Sequence, residues 1–330
     1  MPGCELEGKP SARTRDKEKW MKRLRTTLAA TGLMAAALAA GVIAPSTASA
    51  HTLPSTGIIV DMADPTISSP DIAFGSHLVP KTVGKLISIK PNGKYTECSA
   101  AVVKSRTELT IYTAAHCVYT QIGDPTADNP NGPHHNFTFI PALHHLPDPY
   151  NPGITYAEAP FNIWMDSDVS VNPNWITNRQ ANNDYAFIEV EYSLPGGRTS
   201  IGSPDTKIQE MTGGNGLMVP ASYVNDVDIW GYPGDVGLNE HPDYAQKETH
   251  AYTAFGNTFL AVSDPAPAAL IPGMSGGPWV TESRSELMDH NHGMIIGATS
   301  GHSSQVAKSI SARTNDGVHD LYHDHVDSQP

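Results

Sequence analysis

Ile271-Pro-Gly-Met-Ser-Gly-Gly-Pro-Trp279 places one serine, Ser275, inside a glycine-rich turn. Glycines at 273, 276 and 277 permit a tight bend and leave the main chain bare, so amide N–H groups can face a developing negative charge. A serine hydroxyl is a weak nucleophile until a base takes its proton, and that base needs an acid to orient it. Thr113-Ala-Ala-His-Cys117 supplies a candidate base, His116, and Asn183-Asp-Tyr-Ala-Phe-Ile188 a candidate acid, Asp184. Asp166 and Asp168 fall in the same interval, but neither opens so clean a strand pattern as Asp184.

The segments Ala-Ala-His-Cys and Gly-Met-Ser-Gly-Gly-Pro, in the order His116, Asp184, Ser275, resemble the two diagnostic motifs of the chymotrypsin-like serine peptidases. Asp184 before alternating apolar residues, the segment Trp230-Gly-Tyr-Pro233 and a secretory leader look most similar to the bacterial branch that includes the glutamyl endopeptidases. The resemblance spans roughly residues 80 to 310. It implies an all-β fold of two six-stranded antiparallel barrels of chymotrypsin type with the active site between them. It also implies that the N–H groups of Gly273 and Ser275 form an oxyanion hole, that no metal or organic cofactor is needed, and that the substrates are proteins or peptides.

Composition agrees with this class. The chain has 330 residues, 39% hydrophobic and 17% charged, with 28 Gly and 27 Pro marking many turns. Basic Met21-Lys-Arg-Leu-Arg25, an apolar run from Leu28 to Ile43 and the small-residue site Ala48-Ser-Ala50 read as a signal peptide over residues 1–50, with Met21 as the expected true start. Beyond residue 50 there remain 13 basic and 30 acidic residues, a net charge of −17. That balance argues against nucleic acid and anionic membrane as partners. A secreted, extracellular monomer is expected.

Removal of the leader also removes Cys4, leaving Cys98 and Cys117, which are expected to pair in an oxidising compartment. By the resemblance, that disulfide ties the strand bearing Cys98 to the turn bearing His116. Residues 51–80, rich in Pro, Ser and Asp, read as a propeptide or N-terminal arm, and 81–330 as the peptidase domain. Strands are expected over 82–89, 97–103, 109–114, 137–140, 156–165, 185–191, 227–231, 247–255, 259–263 and 294–299, with a hairpin turn at Asn92-Gly93.

The interval 120–180 is dense in Pro, Asn and His and reads as a long insertion, much of it surface loop. The pairs His134-His135 and His144-His145 carry no accompanying Cys or regular carboxylate spacing, so solvated loop histidines are expected rather than metal ligands. Val318, Leu321, Tyr322 and Val326 lie at helical spacing and predict a closing amphipathic helix. His319 and His323 are four apart on it, and surface histidines are again expected.

By the resemblance, the segment Thr299-Ser-Gly-His302 forms one wall of the substrate side-chain pocket and pairs with the substrate backbone, and Ala269 lies near the pocket base. Two positions depart from related enzymes. Met274 stands where animal digestive members carry the aspartate that pairs with a new N-terminus, so that activation switch cannot operate. Thr299 stands nearest the position of the pocket histidine of glutamyl endopeptidases, with His302 three residues on, leaving acidic and small apolar preferences both open. Ala269 argues against a Lys or Arg preference. The implied activity is peptide-bond hydrolysis through an acyl-enzyme. Its rivals are a silent binding module on the same fold and an esterase, which would place its histidine last in the chain.

Overall fold

In the computed structural model the residues described are 57–59, 72–74, 77–121, 131–147, 155–178, 180–194, 205–234, 243–254, 256–263, 272–281, 293–303 and 308–327. The leader over 1–50 and Ala269 lie outside them. Six strands alternate apolar side chains along their length: β1 (Val83–Ile89), β2 (Tyr95–Val102), β3 (Thr110–Thr113), β4 (His135–Pro141), β5 (Ile163–Val171) and β6 (Ala186–Leu194). They close into a barrel in the order β5-β6-β3-β2-β1-β4. Alternate residues fill it: Leu86 from β1, Cys98, Ala100 and Val102 from β2, Ile111 from β3, Phe137 and Phe139 from β4, Trp164 from β5, and Ala186, Ile188 and Val190 from β6.

The intervening residues of the same strands are buried as well. Ala101 and Val103, Tyr112, and Tyr185 and Phe187 belong to a second apolar cluster outside the barrel, with Leu217, Val280, Ile295 and the helix residues Val318, Leu321, Tyr322 and Val326. A strand covered on both faces reads as a nearly continuous apolar run, which is why the segment from 98 to 103 shows so little alternation.

The second half is built from β7 (Gly216–Val219), β8 (Asp226–Gly231), β9 (Asp243–Glu248), β10 (His250–Ala254), β11 (Asn257–Ser263), β12 (Pro278–Thr281), β13 (Met294–Ser303) and β14 (Lys308–Arg313). Its ladder runs β9-β8-β12-β13-β14-β11-β10, with β7 parallel to β13 and the short strand Gly57–Ile59 antiparallel to β7, nine strands in all. Among the described residues this ladder is not closed by hydrogen bonds into a ring of six. The sheet curls instead, and its end strands β9 and β10 are consecutive in the chain, separated only by Thr249. Thr249 is buried, its N–H bonded to Asn225 O at 2.8 Å and its hydroxyl to Tyr223 O at 2.9 Å. Those bonds take the backbone out of the ladder at the bend, so one extended segment serves β8 on one side and β11 on the other. Val227, Ile229, Leu260, Val262, Met274, Trp279 and Ile296 pack inside this curl.

The interval 120–180 contributes more than surface loop, because β4 and β5 are two of the six barrel strands. Within it, the described histidines are not all solvated. His135 is exposed, while His134 and His144 are buried at 5% and 3% relative exposure. His144 Nδ1 lies 2.8 Å from Ala142 O. Adjacent residues of an extended segment point to opposite faces, so the expectation of solvated histidines fails at one member of each pair.

His134 donates from Nδ1 to Cys117 O at 2.8 Å, and its Nε2 lies 2.8 Å from Thr120 Oγ1, contacts that the neutral ring satisfies with the hydroxyl as donor. Burial lowers its pKa from the usual 6.5 to about 4. Between those values the unfolded chain binds the proton and the folded one does not. The contribution to stability is therefore complete above pH 6.5 and lost as pH falls towards 4. Urea unfolding at pH 7.5 and pH 4.5 is expected to show a smaller loss of stability in His134→Asn than in the parent, by on the order of 2–3 kcal/mol. Equal losses in the two proteins would show that His134 does not titrate in this way.

The helix expected near the C-terminus spans Asp316–Asp327 and lies over the outer face of β6. Asn315 Oδ1 accepts from the N–H groups of Gly317 and Val318 at 2.9 and 3.3 Å, capping its first turn. His325, fully buried, sets Nδ1 2.8 Å from Ser170 Oγ and Nε2 3.5 Å from Glu189 Oε2. Burial works to raise the pKa of Glu189, but hydrogen bonds from His325, Thr107 and Thr110 outweigh it and hold the carboxyl below its usual range. No helix among the described residues is long and apolar enough to cross a membrane.

Candidate active site

β3 ends at Thr113, and the chain turns through a short 3-10 helix over Ala115–Cys117. His116 is thereby set at a strand end with its imidazole 30% exposed. Cys117, the next residue, is disulfide-bonded to Cys98 of β2 across a separation of 19 residues. By loop entropy a link of that length stabilises the fold by about 3 kcal/mol. His134 holds the same turn from the other side through Cys117 O, and its N–H bonds Val118 O at 2.8 Å. Clamped on both flanks, the turn leaves His116 little freedom to move its backbone.

Asp184 stands just before β6, which pairs with β3 from Ala186↔Thr113 onward, so strand register alone carries it to the turn bearing His116. Its carboxylate is 2% exposed and accepts two hydrogen bonds from the same residue: Oδ1 from the backbone N–H of His116 at 2.8 Å, Oδ2 from the ring at Nδ1, also 2.8 Å. This double grip fixes both the ring's position and its tautomer, with the proton on Nδ1 and the lone pair of Nε2 left outward. The competing acids do other work. Asp166 accepts from Phe137 N at 2.7 Å, and Asp168 lies 3.7 Å from His325.

The Ser275 turn docks on the strand that leads to His116. Gly276 has φ +80, a conformation that favours glycine, and a Cβ there would collide with Thr113 Oγ1 and Ser99 O and stand 3.1 Å from Ala114 N. Ser275 is thus the immediate neighbour of a residue packed against the segment 113–114, two residues before His116.

Four successive carbonyls of the turn are hydrogen-bonded, three to other segments and one within the turn. Pro272 O accepts from Gly234 N at 2.7 Å, Gly273 O from Ser99 Oγ at 2.9 Å, Met274 O from Gly277 N at 3.0 Å, and Ser275 O from Ser99 N at 2.7 Å. Among the hydrogen bonds of the described residues, the N–H groups of Gly273 and Ser275 find no protein acceptor. Inward carbonyls with unclaimed amides are what a site for an oxyanion requires.

Ser99 was not singled out by its sequence, yet it organises this turn. It is fully buried, donates its hydroxyl to Gly273 O, accepts from Tyr232 N at 2.7 Å, and bonds Ser275 O through its own N–H. The available signal was weak: one polar residue in the buried run from Cys98 to Val103, on the face of β2 opposite Cys98 and Ala100.

The residues expected to wall the side-chain pocket are only partly free to do so. Thr299 is 3% exposed, its hydroxyl accepting from the Trp279 indole at 3.0 Å and its backbone bonded to Gly276 and Gly277. Ser300 Oγ donates to Ala298 O at 3.3 Å and accepts from Ala312 N at 3.1 Å across the irregularity in β13. At Gly301 a Cβ would meet only the side chain of Ile310, at 3.8 Å or more. His302 lies in β13 opposite Ser309, its side chain outside the described set.

No protein-family model and no curated protein matches this sequence. Solved structures do match in fold. The chain is similar to a thermostable serine protease, AL20, from an extremophilic microorganism, with a TM-score of 0.57 and 18% identity over 76% of this chain and 99% of that one. It is similar to the protease Anisep from Arthrobacter nicotinovorans, with a TM-score of 0.56 and 19% identity over 75% and 96%. A Glu endopeptidase structure matches with a TM-score of 0.51 and 16% identity over 78% and 96%. At these identities the likeness establishes a chymotrypsin-type serine-protease fold.

Proposed function

We propose that the protein is a secreted serine endopeptidase that cleaves peptide bonds through an acyl-enzyme, with His116, Asp184 and Ser275 as its triad. The observation that carries this reading is the double hydrogen bond from His116 to buried Asp184 beside a serine turn whose carbonyls face inward. In the first step Ser275 Oγ attacks the substrate carbonyl carbon while His116 Nε2 takes the hydroxyl proton. The tetrahedral oxygen collects its negative charge between the N–H groups of Gly273 and Ser275. Collapse breaks the C–N bond, His116 gives the proton to the leaving amine, and an ester on Ser275 remains. Water then repeats the sequence in reverse roles, releasing the acid. Asp184 keeps its hydrogen bond to Nδ1 throughout and stabilises the imidazolium. No step calls for a metal or organic cofactor.

The same reading makes Ser99 a positioning residue. Ser99→Ala leaves Gly273 O and Tyr232 N without their partner. The expected result is a fall in kcat of about tenfold or more with KM little changed, since the oxyanion donors matter mainly in the transition state. A change confined to KM would place Ser99 outside the hole.

The direct test is labelling with a fluorophosphonate, followed by mass mapping of the modified peptide, with casein hydrolysis measured in parallel. One label on the peptide containing Ser275, together with loss of hydrolysis, is expected. A folded, disulfide-bonded, leader-free protein that neither labels nor cleaves casein would be a binding module on this fold.

A further inference from the structure

The C-terminal helix carries two kinds of histidine. His325 is enclosed and bonded into the barrel wall, as described above. His319 and His323 are on a different side of the helix, four residues apart, with the His319 side chain 44% exposed and His323 exposed. Their rings approach to 4.5 Å between centroids, and the Tyr322 ring stands edge-on to His323 at 5.6 Å. Nothing in the proposed hydrolytic chemistry uses them.

We propose that His319 and His323 form a chelating site for a divalent transition-metal ion of the zinc, copper or nickel class. Positions i and i+4 of a helix share one face, so two imidazole nitrogens there can reach a single ion, as in helical metal motifs. Imidazole is a ligand for such borderline ions, whereas magnesium and calcium prefer oxygen. Asp320 strengthens the assignment: its Oδ1 lies 3.2 Å from His319 Nδ1. A carboxylate on that nitrogen holds the proton there and directs the Nε2 lone pair outward, the usual arrangement behind a metal-bound histidine. Asp316, Asp320 and Asp324 are all exposed on the helix and favour a cation there.

An ion bridging 319 and 323 would staple one turn of this helix. The helix is tied to the protein around that turn: Tyr322 Oη donates to Lys104 O at 2.8 Å, Arg106 Nη2 to Val326 O at 2.9 Å, and Tyr185 Oη to Asn315 Oδ1 at 3.5 Å. Tyr185 directly follows Asp184, so stapling the helix supports the segment that presents the acid. The role is structural and lies outside the reaction.

The test uses the leader-free full chain, stripped of metal, in a buffer without chelators. Zinc binding is measured by equilibrium dialysis and the thermal midpoint with and without zinc. One equivalent of zinc and an upward shift of the midpoint are expected, with no shift from magnesium at the same concentration. His319→Ala and His323→Ala should each abolish the shift and remove that equivalent, and Asp320→Asn should weaken binding about tenfold. Circular dichroism without metal should be unchanged in all three, because the substituted side chains face solvent. Absence of zinc binding by the parent, or equal binding and an equal shift in the double alanine variant, would overturn the proposal. These outcomes are independent of whether the protein hydrolyses peptides.

Discussion

Ser275→Ala is expected to lower kcat for a peptide substrate by about 10⁶-fold and to abolish fluorophosphonate labelling, with the fold intact. The size follows from what disappears. Without Oγ there is no acyl-enzyme, so His116 loses its reaction partner and the triad contributes nothing further. The residual rate, about 10³–10⁴ above water, would come from the oxyanion donors and from substrate positioning. Stability should change little, because Ser275 bonds the rest of the protein through its carbonyl, which Ser99 N still reaches in the variant. Kinetics with a chromogenic peptide, alongside thermal melting, separates the two effects. A variant that keeps more than a few per cent of parental activity would place the nucleophile elsewhere.

Asp184→Asn is expected to cost about 10⁴-fold in kcat. Asp184 is bonded to His116 twice, and the two bonds respond differently to the substitution. The Asn carbonyl oxygen can still accept from the backbone N–H of His116, so the turn over 115–117 should hold its place. The amide NH₂ then faces Nδ1 and can only donate, which forces the ring proton onto Nε2, where the nucleophile's proton has to go. The base is thus blocked without being removed. Asp184→Ala would add a second loss, leaving the His116 N–H without its acceptor in a buried place, and should also cost about 1–3 kcal/mol of stability. Measuring kcat and unfolding for both variants distinguishes the tautomer effect from simple disruption. If Asp184→Asn and the parent were equally active, either Asp184 would not be the orienting acid or the ring would not depend on it.

The candidate site was legible for a chemical reason. In the proposed role a serine nucleophile needs bare amides around it, and Gly273, Gly276 and Gly277 mark such a turn. The histidine is marked by its disulfide-forming neighbour Cys117, and the acid by the strand it opens. Ser99 carried no comparable mark. Its hydrogen bonds run to Gly273 and Ser275, across sequence separations of about 175 residues, and no local pattern reports such partners. Thr299, expected from its place in the chain as a pocket wall, is buried with its hydroxyl accepting from the Trp279 indole, a partner that no local pattern reports.

Within the fold, strand positions in the first half were readable from apolar and β-branched runs set between turn signals such as Asn92-Gly93. The strands β7, β12 and β14 were not anticipated. β7 lies on the margin of the nine-stranded ladder and begins in the glycine-rich run 213–216, and in β14 the serines Ser309 and Ser311 are fully buried, so its inward face looks polar. The histidines at 134 and 144 were misread because their burial depends on which face of an extended segment meets the protein.

The sequence by itself determined the β class, the cysteine pair, the closing helix and the candidate residues of the proposed chemistry: the identities and order of His116, Asp184 and Ser275 are local patterns of residue type and spacing. Tertiary structure decided which acid meets the histidine, how the carbonyls of the serine turn are bonded, and that the second sheet curls through a bend at Thr249. Those outcomes depend on register between strands far apart in the chain, and register is set by the packing of all of them together.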